Sequence, residues 1–332
     1  MKKNFIFMLI MVLVSLVGCS SKPDNLITQT ESPSVIITST LNSPTLTIPS
    51  VTFTPFPTPS SLPPTLTPLP KLAPDESVNL LFELLMNNGQ CLLPCLLGLK
   101  PENSSLEMRN FLNQFASVDS DEISIERVRA DGGKFNAVSF FVRYDDIYLN
   151  IGVSSYEAQN QIKRLSLDSS VYKDNSNESL VNFLPWDPKY AEVMGYYLLP
   201  QMLTTYREPS EVLVLTYRND RQRPDVTSYP FFLVLLYPDK GFYVKYEMER
   251  VVSGANFLGC PSESFVDVVV WTPNDDEVFE SIVKPTINGE YFSDYKPLSE
   301  ATSLTIEGFY QGFSNPENQN CLETPIETWP NP

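Results

Sequence analysis

The chain has 332 residues, with 23 Lys and Arg against 40 Asp and Glu, a net charge of −17 and no histidine. That field repels nucleic acid and anionic lipid, and no run of Lys or Arg offsets it. The missing imidazole excludes Ser-His-Asp and Cys-His catalysis, His-centred zinc sites and imidazole proton shuttles together.

Met1, Lys2 and Lys3 give a positive start, and Phe5 to Val17 is apolar apart from Ser15. This is the order of a secretory signal, and it is shorter than the roughly 20 residues a bilayer span requires. The stretch ends in Leu16-Val17-Gly18-Cys19, which resembles the lipobox of bacterial lipoproteins. The resemblance implies a diacylglyceryl thioether on Cys19 and cleavage before it, so that 1–18 is a signal peptide. Two acyl chains anchor stably where one binds only marginally. Ser20 and Ser21 stand where an Asp would retain such a protein at an inner membrane. The expected location is therefore the extracytoplasmic side of a cell membrane or outer membrane, through lipid such as palmitate on Cys19.

Between Pro23 and Pro74 lie 12 of the 29 prolines, mixed with Thr and Ser, and no Gly occurs between Cys19 and Gly89. Proline fixes φ and removes donors, so 19–75 is expected to be a disordered, stiffened stalk. At about 3.1 Å per residue it could extend on the order of 150 Å, a spacer across a wall or surface layer.

The remainder, 76–332, is long enough for one large folded region or two of ordinary size, 76–172 and 180–332. With Cys19 used for lipid, Cys91, Cys95, Cys260 and Cys321 remain, the even count expected of two disulfides in an exported chain. Three connectivities are open. Cys91 with Cys95 and Cys260 with Cys321 is favoured, because Pro94 turns the first segment so that residues four apart approach bonding distance. Cys-Leu-Leu-Pro-Cys departs from the Cys-x-x-Cys spacing of redox motifs and lacks a histidine partner, which disfavours a redox role.

Val78, Leu81, Phe82 and Leu85 predict a first helix over 77–88 with Gly89 as its stop. Ser104-x-x-Glu107 is a capping box, and Met108, Phe111, Leu112 and Phe115 form the apolar stripe of the helix it opens. Strands are expected over 123–129, 135–144 and 147–153, broken by hairpin turns at Asp131-Gly132-Gly133 and Asp145-Asp146, with a further strand over 162–167. A polar run, 173–179, opens the second half. There Pro200 starts a helix through Tyr206, Pro209 ends it, and 212–217 is a strand. Phe231 to Tyr237 and Phe242 to Met248 form a hairpin closed by Pro238-Asp239-Lys240-Gly241. The first arm is apolar on both faces, so a helix should cover the sheet. A strand over 265–271 and helices over 275–283 and 303–313 complete the reading. The fold class is therefore α+β, antiparallel sheets with packed helices, and the similar order of elements in the two halves predicts two tandem units.

Asn88-Gly-Gln-Cys91-Leu-Leu-Pro-Cys95-Leu-Leu-Gly98, followed by Pro101 and a capped helix, resembles the Cys-x-x-Pro-Cys-x-x-Gly segment of exported bacterial lipoproteins that carry Thr/Pro-rich stalks and no assigned activity. Tyr206-x-x-Pro209-Ser-Glu-Val212 is similar to the helix-to-strand turn of small lipoproteins of the SmpA/OmlA type and of β-lactamase-inhibitor-like modules, which usually carry Gly where Arg207 stands. That second resemblance implies a binding module without catalytic residues.

Candidate chemistry is sparse. Ser170-Val-Tyr-Lys173 matches Ser-x-x-Lys but has no Lys-Thr-Gly partner. Asp174, Ser176 and Glu178 hint at a calcium loop, yet Ser179 and Pro185 stand where its Gly and bidentate Glu belong. Acids at Asn274-Asp275-Asp276-Glu277 suit a helix start, and Trp186, Trp271 and Trp329 could form a sugar platform or pack in the core. No catalytic, cofactor or metal residue is assigned. The expected function is a non-enzymatic module that binds a protein or glycan of the cell envelope and no nucleic acid. The alternative is an extracytoplasmic, glycosidase-like hydrolase using paired carboxylates, which needs no histidine.

Overall fold

The computed structural model describes residues 69–115, 127–128, 134–144, 147–159, 161–173, 187–217, 230–287, 295–318 and 320–329. Cys19, the signal, nearly all of the stalk, Trp186, the 174–185 loop and both expected turns at 131–133 and 145–146 lie outside them.

Two helices open the described part, α1 (Pro74–Asn87) and α2 (Ser105–Asn113), followed by β1 (Arg127–Val128), β2 (Lys134–Tyr144), β3 (Ile147–Ala158) and β4 (Gln161–Lys173). Two more helices, α3 (Pro188–Val193) and α4 (Leu199–Tyr206), precede β5 (Glu211–Thr216), β6 (Pro230–Tyr237), β7 (Phe242–Ser253) and β8 (Asn256–Trp271). A helical run over 276–287, here α5, has a π-helical middle, Phe279–Val283. The chain ends in β9 (Lys296–Pro297), α6 (Leu298–Ala301), α7 (Ile306–Phe313) and β10 (Leu322–Pro325). Helix, helix and four strands thus follow in the same order twice.

All the described strands join one antiparallel sheet, in the order β1-β2-β3-β4-β8-β7-β6-β5-β9, with β10 on the far arm of β8. The last strands of the two halves, β4 and β8, meet at its centre, with Leu165 opposite Val270 and Leu167 opposite Val268. The fold class is α+β, as the alternation of patterns predicts.

One face of the sheet is mostly apolar, with the buried Ser155 and Ser169 set among its apolar residues. Side chains alternate along a strand, so Leu149, Ile151 and Val153 of β3, Leu165, Leu167 and Val171 of β4, and Val266, Val268 and Val270 of β8 share that face and are buried. The helical layer covers it with Leu81 and Leu85 of α1, Met202 and Leu203 of α4, and Phe309 and Phe313 of α7. At about 1.5–3 kcal/mol for each large apolar side chain removed from water, this layer is the main source of stability. On the opposite face Val234, Leu236, Tyr243, Val269 and Trp271 pack on Val278, Val283 and Ile287 of α5, and Tyr156 and Phe232 are also buried on it. β6 is therefore sandwiched, as its unbroken apolar run requires.

Local signals are met closely. Ser104 Oγ accepts from the Glu107 N–H at 3.3 Å, and Glu107 Oε2 accepts from the Ser104 N–H at 2.7 Å, which completes the capping box. The bond from the Ser104 N–H is also the main reason the Glu107 carboxyl sits below its ordinary pKa. Gly241 closes the β6–β7 hairpin at φ 72°, packed against the Trp271 carbonyl. Four strands exceed expectation, β3 reaching Ala158 and β7 reaching Ser253 among them. β4 continues through Asp168, Ser169 and Ser170, where polar residues disguise a strand, and β8 begins at Asn256 because its far arm pairs with β7 and β10.

Arg207 ends α4 with φ 68° and ψ −157°, a region that essentially only glycine adopts. Glycine suits this backbone. Here the Tyr237 hydroxyl donates to the Arg207 carbonyl at 2.9 Å and Lys240 Nζ donates to the Tyr206 carbonyl, so neighbouring side chains hold the strained turn. Arg207→Gly is expected to raise stability by about 1 kcal/mol, because relief of about 1–3 kcal/mol of strain exceeds glycine's entropy cost of about 0.5–1 kcal/mol. Thermal unfolding reads this as a rise of about 2–4 °C.

Candidate functional site

Beyond α5 the second face of the sheet turns polar. The same alternation that buries Leu165 and Leu167 places Arg164, Ser166, Asp168 and Ser170 on it, beside Asn150, Gly152 and Ser154 of β3. Ser154 and Ser166 face each other across the two strands and join through their hydroxyls. Asn150 Nδ2 donates to Ser170 Oγ at 3.4 Å, while Asn150 Oδ1 is buried with no hydrogen-bond partner among the described residues. Arg164 lies 5.7 Å from the centre of the Phe135 ring.

Charges gather where this polar carpet meets β8 and β7. Lys245 and Asp267 are direct cross-strand partners and form an ion pair, with the Lys245 ammonium 5.6 Å from the Phe232 ring centre. Burial alone would lower the Lys245 pKa, but the charge and hydrogen bond of Asp267, with the charges of Glu247 and Tyr243, together turn the net shift upward. Two further carboxyls stand close by. Glu247 lies on the same face of β7 and is raised by burial, against the pull of Lys245. Asp168 lies directly opposite Gly152, whose missing side chain leaves room for the carboxylate on the β3 backbone. Although Asp168 as a residue is largely exposed, its carboxyl is pressed against the sheet, and burial, then the Asp267 charge, raises its pKa.

A carboxyl whose folded pKa is raised binds its proton more tightly in the native state, so it contributes stability at low pH that is lost as pH climbs through the folded pKa. Asp168→Asn is accordingly expected to stabilise the protein at pH 7, with the gain vanishing as pH falls toward the unfolded value of 3.8. Urea unfolding of the pair of proteins from pH 7 to pH 4 checks the sign.

The residues singled out in the sequence fall elsewhere. Ser170 and Lys173 lie on the extended strand β4, not on the helical turn that Ser-x-x-Lys chemistry requires. Asp275 caps α5, accepting from the Val278 N–H at 3.0 Å. Trp271 and Trp329 are buried, so they form no sugar platform. The four cysteines pair as Cys91–Cys95 and Cys260–Cys321. No group of three metal-ligating side chains occurs among the described residues, and none of their helices is long and apolar enough to cross a membrane.

The charged cluster was not anticipated. Its signal was present: Asp267 is a lone charge within Phe265-Val-Asp-Val-Val-Val-Trp271, and Lys245 and Glu247 alternate with apolar residues in β7. Charges inside apolar strands are rarely free of a partner or a role. Compared with family models, curated proteins and solved structures, the chain matches none.

Proposed function

We propose that this chain is a lipid-anchored extracytoplasmic binding module, held to a membrane through Cys19, raised on the stalk of 19–75, and taking an envelope glycan on the polar face of β3, β4 and β8. The observation that carries the reading is that face. It offers hydroxyls, an amide and carboxylates over a floor of small residues, Gly152, Ser154 and Ser166, beside an ion pair. Hydroxyl-rich ligands are recognised by such convergent donors and acceptors, whereas protein partners draw most of their affinity from buried aromatic anchors. The recurrence of helix, helix and four strands supports the reading of two tandem similar units, and the helix-to-strand turn at Tyr206–Val212 supports the resemblance to binding modules.

The test is binding of a panel of soluble envelope glycans to the full-length protein in detergent. Ser166→Trp, which fills the centre of the face, is expected to weaken binding by about tenfold or more, equivalent to about 1.4 kcal/mol. Unchanged affinity in that variant, or binding to envelope proteins in place of glycans, would reject the assignment.

A second reading has its own support. Raised carboxyls at Asp168 and Glu247, beside Asp267, are the ingredients of paired-carboxylate glycoside hydrolysis, in which one acid must hold its proton near neutrality. Glycan turnover by the wild type that disappears in Asp168→Asn would establish the enzyme; binding that survives in Asp168→Asn without turnover in either protein favours the module.

A further inference from the structure

The Cys91–Cys95 disulfide closes the smaller of the two disulfide loops, with the cysteines only four residues apart. That loop is fixed without it. Asn88 Nδ2 donates to the Cys91 carbonyl at 2.8 Å and to the Cys95 carbonyl at 2.7 Å, so one buried amide clamps the main chain of both cysteines. Between them, the Leu93 N–H donates to the Tyr206 hydroxyl at 2.8 Å and the Cys95 N–H to the Leu92 carbonyl at 3.0 Å. The Tyr196 hydroxyl donates to the Cys91 carbonyl at 3.2 Å.

The two sulfurs differ in their surroundings. Cys95 is 6% exposed and belongs to the buried set, whereas Cys91 is partly exposed and is followed by Leu92, which is 64% exposed. Cys91 Sγ also has the Asn88 carbonyl at 3.0 Å, an acceptor ready for a thiol. Opening the bond therefore leaves a partnered Cys91 and a loop that keeps both cysteines in place.

We propose that Cys91 and Cys95 form a reversible dithiol/disulfide couple, in which Cys91 is the exchanging sulfur and Cys95 the resolving one. An external thiolate attacks Cys91 Sγ, the S–S bond breaks, and Cys95 leaves as a thiolate that takes a proton from solvent. A second external thiolate then releases Cys91, so two thiols are oxidised to one disulfide while the protein pair gains two electrons and two protons. In reverse, Cys95 attacks a mixed disulfide on Cys91 and closes the ring. The partner class is a small thiol or the dithiol of a thiol–disulfide exchange protein. This inference is independent of the glycan reading.

Full-length protein in detergent is equilibrated with graded reduced and oxidised glutathione, then alkylated and mapped peptide by peptide, with circular dichroism in parallel. The expected result is a mixed disulfide on Cys91 and not on Cys95, with the native spectrum kept and the disulfide re-formed when oxidised glutathione is restored. In single variants, Cys91 of Cys95→Ser is expected to react at least about tenfold faster than Cys95 of Cys91→Ser, because Cys91 is the more exposed residue. Glutathione found on Cys95, loss of the native spectrum when the ring opens, or failure to re-form the disulfide would overturn the proposal. The wild-type mapping stands even if either variant fails to fold.

Discussion

Asn88→Ala is expected to lower the unfolding free energy by about 4–5 kcal/mol, at the top of the range for single substitutions. Asn88 is 0% exposed and sits at the C-terminal cap of α1 in the left-handed region, φ 53° and ψ 37°. Its amide nitrogen serves the Cys91 and Cys95 carbonyls, while its oxygen accepts from the Leu97 N–H at 2.9 Å and the Tyr197 hydroxyl at 2.8 Å. Removing it leaves four polar groups without that partner, at about 1–3 kcal/mol for each that stays buried and unpaired, and it discards a residue type that tolerates this backbone. Burial keeps the Tyr197 hydroxyl protonated far above pH 7, so it remains a donor throughout. Asn88→Asp separates the two halves of the network. The new carboxyl keeps the acceptor but faces two carbonyls, so burial and repulsion raise its folded pKa and stability should recover as pH falls, when the protonated acid can donate. Urea unfolding at pH 7 and pH 5 measures both; equal stability of wild type and Asn88→Ala would remove the hub from the account.

Cys260→Ser with Cys321→Ser is expected to cost about 4 kcal/mol, against about 2 kcal/mol for Cys91→Ser with Cys95→Ser, because chain entropy released in the unfolded state grows with loop length. The first pair spans 61 residues and the second only four. The longer link also holds β10, whose four residues pair with β8 from Leu322 opposite Gly259 to Pro325 opposite Asn256. Behind that strand Trp329 is buried, its indole N–H donating to Thr324 Oγ1 at 2.9 Å, and Thr324 in turn donates to the Ala301 carbonyl. Such a short edge strand has little stability of its own. Denaturant midpoints of the two double variants, and limited proteolysis after residue 315, rank the links; a larger loss from the Cys91–Cys95 pair would contradict the assignment of roles.

What could be read in advance follows the range of the forces involved. The capping box at Ser104 and Glu107, the helix opened by Pro200 and the hairpin at Pro238–Gly241 depend on residues within a few positions of each other. Each is found where the sequence places it. The favoured cysteine pairing rests on equally local turn geometry for Cys91 and Cys95 and is also found. The polar face was hidden for the opposite reason. Asp168, Lys245, Glu247 and Asp267 lie on three strands; the pairing of β7 with β8 gathers the last three, and the junction of β4 with β8, a pairing between the two halves, adds Asp168. Nor could single-residue propensity locate the Asn88 hub, whose partner Tyr197 comes from over a hundred positions away, as do Tyr196 and Tyr206, which bond Cys91 and Leu93 in the loop that Asn88 clamps. The polar residues of β4 reduced its apparent length because alternation of Leu with Ser and Asp marks a half-buried strand only once a partner face exists.

The central claim is that a ligand sits on the polar face of β3, β4 and β8. Carboxyl footprinting of the full-length protein, with carbodiimide and an amine tag, reads this directly in the presence and absence of a bound envelope glycan. Loss of labelling at Asp168, with the acids of the hairpin tip and of α5 unchanged, is the predicted pattern. Full labelling of Asp168 in the saturated complex would place the ligand elsewhere and contradict the account.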